Sequence, residues 1–282
     1  MKKKISIVTP TFNEELNIDK LCNDIASQMK KLDYDYEHIV IDNLSTDSTV
    51  KILEKKTQED KNLKVIINSR NFGHIRSPIH GLLQSNGDAV ILMSADFQDP
   101  VELIPKYIEE WEKGSPVVMG QKLTSEESKF KHFIKKLYYK FINLISEFPL
   151  LMDTTGAGLF DRKIIEELRK VNDPYPYFRG LVSEVTSEIK LLQFHQPKRN
   201  KGITKNNFYT LYDLGILGII KHSKMPLRII TFIGLIASLL SFIISIVFLF
   251  RKLLNWNSFD VGIAPLIIGV FMIASIQIFL LG

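Results

Sequence analysis

The sequence predicts an α/β domain built on a mostly parallel sheet, followed by amphipathic helices and a two-helix transmembrane hairpin. Short apolar runs alternate with stretches of helical periodicity over residues 1–120, which is the pattern of repeated strand–helix–strand units. Two apolar runs without a charged residue, 229–250 and 261–281, close the chain, and each is long enough to cross a bilayer. The 282 residues therefore provide one globular domain and a membrane segment.

Four strand–helix pairs account for this alternation, and a fifth strand ends it. Buried apolar runs predict strands at 5–9, 36–42, 63–68, 89–93 and 116–119. Apolar residues at helical spacing predict helices at 17–31, 48–59, 75–85 and 100–113. Right-handed crossovers bring the carboxyl ends of parallel strands to one edge of the sheet, so the loops that follow them lie together.

Polar residues follow each of the first four strands, and we expect them to converge at this edge. They are Asn13 and Glu14, Asp42 and Asn43, Arg70 and Asn71, and Asp96 and Gln98. A crevice at the ends of such strands suits a nucleotide. The chain has neither a G-x-G-x-x-G fingerprint nor a P-loop, which argues against a dinucleotide enzyme and a P-loop ATPase.

The stretch 89–100, A-V-I-L-M-S-A-D-F-Q-D-P, carries the strongest chemical signal. Asp96, Gln98 and Asp99 place oxygen-donating side chains directly after a buried strand, which suits a hard divalent cation that also binds phosphates. The alternative is a polar strand end in which Asp99 caps a helix that begins at Pro100. The stretch alone does not separate these two interpretations.

Composition narrows the class of protein further. The net charge is +5, yet residues 1–120 hold more acidic than basic side chains and residues 121–225 the reverse. This asymmetry argues against a nucleic-acid binder and fits a domain that faces an anionic surface or anionic substrates. The single cysteine, Cys22, excludes a disulfide framework and indicates a reducing compartment. The apolar run after the N-terminal lysines is too short for a signal peptide, so none is expected.

Two segments before the apolar runs predict helices that lie on a membrane surface. Residues 129–148 place aromatic and aliphatic side chains on a wide stripe, with lysines mostly off it. The alternative is a basic-faced helix packed on the sheet. Residues 207–226 are a second, juxtamembrane candidate, rich in apolar residues and basic at its end.

We therefore expect three parts: a globular domain over 1–206, a juxtamembrane helix over 207–226, and two spans within 227–282. As a helix, the run 229–250 would be about 33 Å long at about 1.5 Å per residue, enough to cross the hydrocarbon layer. The basic residues before it place the globular domain and both chain ends in the cytoplasm, whereas Arg251 and Lys252 in the outer loop weaken this assignment.

Several motifs together resemble the family 2 glycosyltransferases, and in particular the polyprenyl-phosphate branch that is similar to dolichyl-phosphate-mannose synthase. They are P-T-F-N-E-E, I-D-N-L-S-T-D-S-T, S-R-N-F-G-H, G-D-A-V-I-L-M-S-A-D-F-Q-D-P and F-R-G-L. The resemblance covers about residues 4–282 and implies a GT-A fold. It also implies a multi-pass enzyme of the inner cell membrane that inverts the anomeric carbon and serves cell-surface glycan assembly. Its substrates would be a UDP- or GDP-sugar donor and a polyprenyl phosphate acceptor, and a homo-oligomer is one implied state.

The resemblance assigns roles to individual positions on the donor side. Pro10, Asn13 and Glu14 match the loop that holds the base and ribose, and Asp42 matches the base-binding aspartate. Asn43 stands where the family usually has a second aspartate. Arg70 and His74 are expected near the sugar or the diphosphate, with a structural role in the loop as the alternative.

The family metal motif, D-x-D-x-Q, is altered in this chain. Ser94 replaces its first aspartate, while Asp96 and Gln98 remain, so Mg²⁺ or Mn²⁺ use is expected to survive in weaker form. Arg199 and Lys205 match basic residues of the R-x-x-G-x-S-K segment and would hold a diphosphate or the acceptor phosphate, with a solvated basic loop as the alternative. Arg179 is expected to contact the acceptor phosphate.

The position of the branch's candidate general base is also altered. In the family's G-D-F-R segment an aspartate occupies the position where this chain has Gly156. Asp153 or Glu184 could substitute for it. A base is also less necessary for a phosphate monoester, whose second pKa is about 6, than for an alcohol. Two alternatives remain: extension of a lipid-diphosphate-linked sugar or polysaccharide, and an impaired scaffold that binds nucleotide-sugar at the membrane.

Overall fold

The computed structural model describes residues 2–123, 129–146, 148, 150–171, 173, 175–197, 208–255 and 263–281. The chain divides into two compact units, Met1–His222 and Ser223–Gly282. The first unit holds the sheet and its helices, and the second holds the apolar helices near the C-terminus.

The first unit alternates strands and helices as predicted up to its fifth strand. Its strands are β1 (Lys4–Thr11), β2 (Asp35–Asp42), β3 (Leu63–Ile67), β4 (Ala89–Leu92), β5 (Val117–Lys122), β6 (Thr154–Asp161) and β7 (Ile189–Phe194). Its helices are α1 (Ile18–Met29), α2 (Thr49–Glu59), α3 (Gly73–Leu83), α4 (Leu103–Glu112), α5 (Lys129–Ile145), α6 (Arg162–Val171), α7 (Phe178–Val185) and α8 (Phe208–His222). Helix α4 begins at Leu103 and not at Pro100, so the predicted boundary there was wrong.

The seven strands form one sheet in the order β3-β2-β1-β4-β6-β5-β7. Strand β6 runs antiparallel to its neighbours β4 and β5, and the other pairs are parallel. The prediction of an α/β fold with a mostly parallel sheet is therefore confirmed. Strands β6 and β7 and helices α6 and α7 were not predicted.

Helices cover both faces of the sheet, which explains why its central strands are continuous apolar runs. One face packs on α1 and α4 around Ile7, Ile91 and Tyr107. The other packs on α3, α6 and α7 around Val8 and Phe160. This three-layer arrangement leaves the carboxyl edge of β1, β2 and β4 as the place where loops, and not helices, line the surface.

Helix α5 pairs with α8 through only part of its apolar stripe. Tyr139 and Ile142 are buried in a cluster with Leu217 of α8, and the Tyr138 hydroxyl donates to the Gly215 carbonyl at 3.0 Å. Other residues of the stripe that the structure describes are exposed, namely Leu137, Phe141 and Leu144. On α8, Tyr209, Tyr212, Ile216 and Ile220 are exposed as well. The two helices thus bury one apolar side and present another to the surroundings.

The second unit contains α9 (Met225–Leu254) and α10 (Ile263–Leu281). Hydrogen bonds from Ser238 to the Ser275 carbonyl, at 2.7 Å, and from Ser245 to the Ile268 carbonyl, at 3.3 Å, show that they pack antiparallel. Among the described residues, the helix Leu227–Leu254 is long and apolar enough to cross a membrane, and Leu266–Ile278 is a shorter apolar segment. One membrane-spanning helix is therefore supported by length and composition.

Candidate active site

The loops after β1 and β2 are held together by hydrogen bonds between their side chains and backbones. Asn13 donates its backbone N–H to Ser45 Oγ at 2.8 Å, and its Oδ1 accepts the backbone N–H of Thr46 at 2.7 Å. The backbone N–H of Glu14 donates to Thr49 Oγ1 at 2.9 Å. These bonds fix residues more than thirty positions apart in one surface at the edge of the sheet. We call this surface the rim, and it comprises Asn13, Glu14, Ser45, Thr46 and Thr49.

Glu15 of the first loop and Asp47 and Ser48 of the second extend this rim. The Glu15 backbone N–H donates to Asp47 Oδ2 at 3.2 Å, and Glu15 Oε2 accepts from the Ser48 backbone N–H at 2.9 Å. Asp47 forms an Asx turn just before α2, because its Oδ1 accepts the Thr49 N–H at 3.0 Å. The N-cap residue, Ser48, makes no side-chain cap bond, so the S-T-D-S-T run provides this turn and part of the rim.

Asp42 is fully buried at the end of β2 and holds the turn that follows it. Its Oδ1 accepts the Ser45 hydroxyl at 2.5 Å, and its Oδ2 accepts the Ser45 backbone N–H at 2.8 Å. Leu44 inside this turn has φ +62°, a conformation that costs a non-glycine residue about 1–3 kcal/mol. Asp42 therefore stabilises a strained turn at the position where the sequence predicted a nucleotide contact.

Asn43 organises the loop after β3. Its Oδ1 accepts the backbone N–H of Phe72 at 2.9 Å, and its amide nitrogen donates to Asn71 Oδ1 at 2.8 Å. Arg70, which precedes Asn71, is exposed, and its guanidinium lies 5.7 Å from the centre of the Phe72 ring. The structure thus brings the loops after the first three strands into one connected edge.

The end of β4 carries the predicted metal residues. Asp96 is buried, and its Oδ1 accepts the Gln98 backbone N–H at 3.1 Å across Phe97, which has φ +61°. Ser94 turns its hydroxyl to Asp99 Oδ2 at 2.7 Å. Asp99 does not cap α4, because Glu102 is the N-cap residue of that helix. Burial raises the pKa of the Asp99 carboxyl.

A cleft of about 260 Å³ opens beside this edge. It lies between the ends of β1 and β4, the start of β6, and helices α3 and α7. The polar residues of its lining are His74, Ser94, Asp99, Thr155 and Arg179. Gly156, which has φ +84°, also lines it. Apolar side chains such as Ile75 and Phe178 complete it. Of the predicted site residues, Pro10 and Arg179 line this cleft.

The remaining predicted residues lie apart from the cleft or outside the described residues. Glu184 is exposed on α7, and Asp153 is partly buried before β6 with φ +61°; neither lines the cleft. Arg199 and Lys205 fall outside the described ranges, so their predicted phosphate contacts remain predictions.

The structure reveals positions that motif reasoning missed. Ser45 and Thr49 join the first two loops, although the sequence indicated only helix capping there. Thr155 joins His74 and Arg179 around the cleft, although these residues are far apart in the chain. The run S-T-D-S-T was the one available signal for the rim, because hydroxyl residues satisfy loop backbone groups.

Comparisons with known proteins agree with this fold. The family described as Glycosyl transferase family 2 matches residues 6–169. An uncharacterized glycosyltransferase of Synechocystis is 30% identical over 100% of this chain and 89% of its own length. The bactoprenol glucosyl transferase of Shigella phage SfV is 29% identical over 99% of this chain and 91% of its own length.

A solved structure shows the same fold. Glucosyl-3-phosphoglycerate synthase of Mycobacterium tuberculosis, in complex with Mn²⁺, UDP and its product, superimposes with a TM-score of 0.50. It is 17% identical, and the match covers 77% of each chain. The similarity supports the GT-A architecture that the motifs predicted.

Proposed function

Because the chain belongs to glycosyl transferase family 2, we propose that it moves a sugar from a nucleotide-sugar donor to polyprenyl phosphate at the cytoplasmic face of a membrane. The observation that carries this proposal is a hydrogen-bonded rim at the strand ends with a cleft beside it that Arg179 lines. A relative named bactoprenol glucosyl transferase, matched over nearly the whole chain, supports the lipid acceptor.

The donor nucleotide is assigned to the rim. Asn13, Glu14 and Asp42 shape this surface through the bonds to Ser45 and Thr49, so the rim is already formed before a ligand binds. Preorganisation of this kind lowers the entropy that binding would otherwise cost. Pro10, Asn43 and Arg70 complete the proposed nucleotide set, with Pro10 at the point where the rim meets the cleft.

A divalent metal fits the end of β4 when it is shared with the diphosphate of the donor. Asp96 offers one carboxylate and Gln98 one amide oxygen, while the Ser94 hydroxyl is engaged by Asp99. No group of three or more histidine, cysteine or acidic side chains suited to a metal occurs among the described residues. Mg²⁺ is commonly held by one or two carboxylates and substrate phosphates, so this donor set suffices with the nucleotide present. When bound, the metal would neutralise charge on the leaving diphosphate.

The chemistry follows from the charges of the substrates. A phosphate oxygen of the acceptor attacks the anomeric carbon and forms a phosphodiester, while the bond from that carbon to the diphosphate breaks. The bonding electron pair leaves with the nucleoside diphosphate, which gains the negative charge that the acceptor phosphate loses. Attack from the face opposite the leaving group gives inversion. With a second pKa of about 6, the acceptor is largely dianionic at neutral pH and does not require Asp153 or Glu184 as a base.

The membrane attachment is proposed from helices α5, α8, α9 and α10. Exposed apolar residues on α5 and α8 form surfaces of the kind that enter the lipid headgroup region, and Lys136 and Lys140 of α5 are exposed beside them. The helix Leu227–Leu254 would be about 42 Å long at about 1.5 Å per residue. We assign a multi-pass arrangement in which α10 returns the chain to the cytoplasmic side.

The decisive experiment is a donor panel with farnesyl phosphate as a short acceptor and the full chain in detergent. UDP-glucose, UDP-N-acetylglucosamine and GDP-mannose are compared with and without Mg²⁺ or Mn²⁺. We expect Asp96→Asn to lower kcat by about a hundredfold, because charge on the leaving group loses its partner. The control is Asp33→Asn, whose carboxylate is 97% exposed and pairs only with Lys2 among the described residues. An unchanged rate in Asp96→Asn would refute the metal assignment.

A further inference from the structure

Gln277 carries an exposed amide on the apolar helix α10. Ser238 and Ser245 of α9 donate their hydroxyls to carbonyl oxygens of α10, at Ser275 and Ile268, so these polar groups are satisfied between the two helices. No hydrogen-bond partner of the Gln277 amide occurs among the described residues. An amide left unpaired in hydrocarbon is costly, so the depth of Gln277 in a bilayer decides whether it requires a partner.

The register of α9 and α10 fixes that depth. The two serine bonds define one antiparallel register, in which each step along α10 matches one step back along α9. Gln277 lies two residues beyond Ser275 and is therefore level with Ile236, two residues before Ser238. Ile236 follows Arg228, the last basic residue before the apolar run, by eight residues, or about 12 Å at about 1.5 Å per residue. In the proposed transmembrane arrangement, Gln277 thus lies inside the hydrocarbon layer, which is about 30 Å thick, and not among the headgroups.

Gln277 also lies on the face of α10 that is turned away from α9. Successive residues of an α-helix are about 100° apart, so Gln277 is about 160° from Ser275, whose carbonyl contacts α9. Leu266, Val270 and Ile273 are exposed on the same face as Gln277. Steps of four, three and four residues separate these positions, which is the spacing of the core positions of a left-handed coiled coil. We call these four residues the outer seam.

We propose that the outer seam is the contact of α10 with the same helix of a second copy of this chain, in a parallel pair joined through Gln277. This inference goes beyond the proposed function and rests on it for the insertion of α9 and α10 into a membrane. Copies of one chain enter a membrane in the same orientation, so a two-fold axis that relates them runs along the membrane normal. Identical residues then meet at the same depth. Because the glutamine amide carries both donors and an acceptor, two copies of Gln277 satisfy each other.

Other occupants of the seam fit less well. Lipid chains cover its three apolar residues but offer no hydrogen bond to the amide. Helix α9 already contacts the opposite side of α10 through Ser238 and Ser245. A different membrane protein would need a polar group at this depth, whereas a second copy provides one by symmetry. One polar residue in an apolar seam also selects the register in which the helices pair.

The test is self-association of the full chain in phosphatidylcholine vesicles, measured by energy transfer between copies that carry a donor or an acceptor dye at the N-terminus. Dilution of the protein in lipid gives the dissociation constant of the pair. We expect Gln277→Leu, which has a similar size but no amide, to raise this constant by about tenfold. Gln277→Asn, which keeps an amide on a shorter stem, should give a smaller increase.

Two neighbouring residues of α10 test the geometry of the seam. Ile273 and Met272 are both exposed and similar in size, but Met272 lies about 140° from Gln277 around the helix. Ile273→Ala should weaken association by about tenfold, and Met272→Ala by less than about twofold. Mild oxidation should link copies of Ile273→Cys by a disulfide but not copies of Met272→Cys. Wild type gives the background, because its single cysteine, Cys22, is buried.

The outcomes separate this inference from the proposed function, which flotation of the chain with vesicles and sugar transfer to farnesyl phosphate report. If the chain floats with vesicles but stays monomeric at every dilution, the seam serves a different partner or none, and the inference is wrong. It is equally wrong if Gln277→Leu associates as tightly as wild type, or if Ile273→Ala and Met272→Ala have equal effects. In each of these cases the membrane attachment stands. If the chain does not float with vesicles, the proposed attachment fails and the inference fails with it.

Discussion

Ser45 holds the nucleotide rim together, and its hydroxyl offers the sharpest test of that architecture. Its Oγ accepts the Asn13 backbone N–H at 2.8 Å and donates to the buried Asp42 carboxylate at 2.5 Å. In Ser45→Ala the first bond, worth about 0.5–1.5 kcal/mol, and the second, charge-assisted bond, worth about 1.5–3 kcal/mol, are both lost. The expected loss of folding free energy is therefore about 2–4.5 kcal/mol.

The assay combines thermal unfolding of the full chain in detergent with steady-state kinetics. A domain of this size shifts its Tm by about 2–4 °C per kcal/mol, so we expect a decrease of roughly 4–18 °C. Because Asn13 loses its anchor, the KM for the nucleotide-sugar should also rise, by about tenfold, which corresponds to about 1.4 kcal/mol.

Ser48→Ala is the matched control, three residues further along the same loop. Ser48 is exposed, and its side chain does not cap α2, although its backbone N–H binds Glu15. The same atom is thus removed without loss of a bond to the rim. If Ser45→Ala matched Ser48→Ala in both Tm and donor KM, the rim would not depend on Ser45 and the reasoning would be refuted.

Two further predictions concern the buried sheet. Burial lowers the pKa of His38 from 6.5 to about 4. Between these pH values the unfolded chain binds a proton at His38 that the folded chain does not bind, so wild type should lose about 3 kcal/mol of stability as the pH falls from about 6.5 to 4. His38→Gln, which can still bond Thr9, should show a flatter Tm profile over this range, whereas exposed His80→Asn should retain the wild-type slope. Gly158→Ala should destabilise the fold by about 3 kcal/mol or more, because its Cβ would collide with the Val118 carbonyl oxygen of β5. Gly215→Ala in α8, where a Cβ would come no closer than 3.7 Å to Tyr138, tests whether loss of a glycine alone has this effect; equal Tm values would contradict the explanation.

The alternating part of the fold was predictable because its information is local. Each of β1 to β4 is a short apolar run followed by a helix, and the polar residues at the strand ends converge as parallel topology requires. Strand β6 was missed because its role depends on distant partners. The segment Thr154–Asp161 contains two glycines and reads as a loop, yet it pairs with Ala89–Leu92 on one side and Val117–Met119 on the other. Close packing against β5 is the reason for Gly158 and is not visible in the segment itself.

The site shows the same division between local and distant information. Asp96 and Gln98 follow a recognisable strand, so motif reasoning found them, and Asp42 was found in the same way. The rim could be recognised only in the structure, because Asn13 and Ser45 form a hydrogen bond across thirty-two positions of the sequence. The stripe on α5 was identified, but only the structure shows which side packs on α8, since both sides are apolar.

Two positions where this chain departs from the motifs it resembles bear on the proposed chemistry. Ser94 and Gly156 each stand where the resembled family carries an aspartate. On the proposed function, the donor diphosphate completes the metal site that Asp96 begins, and the acceptor phosphate is itself the anionic nucleophile. An alcohol acceptor brings neither the charge nor a nucleophile that is already deprotonated, so farnesol should accept sugar at least about a thousandfold more slowly than farnesyl phosphate. Comparable rates with farnesol would show that the protein supplies a base, and would return Asp153 and Glu184 to consideration.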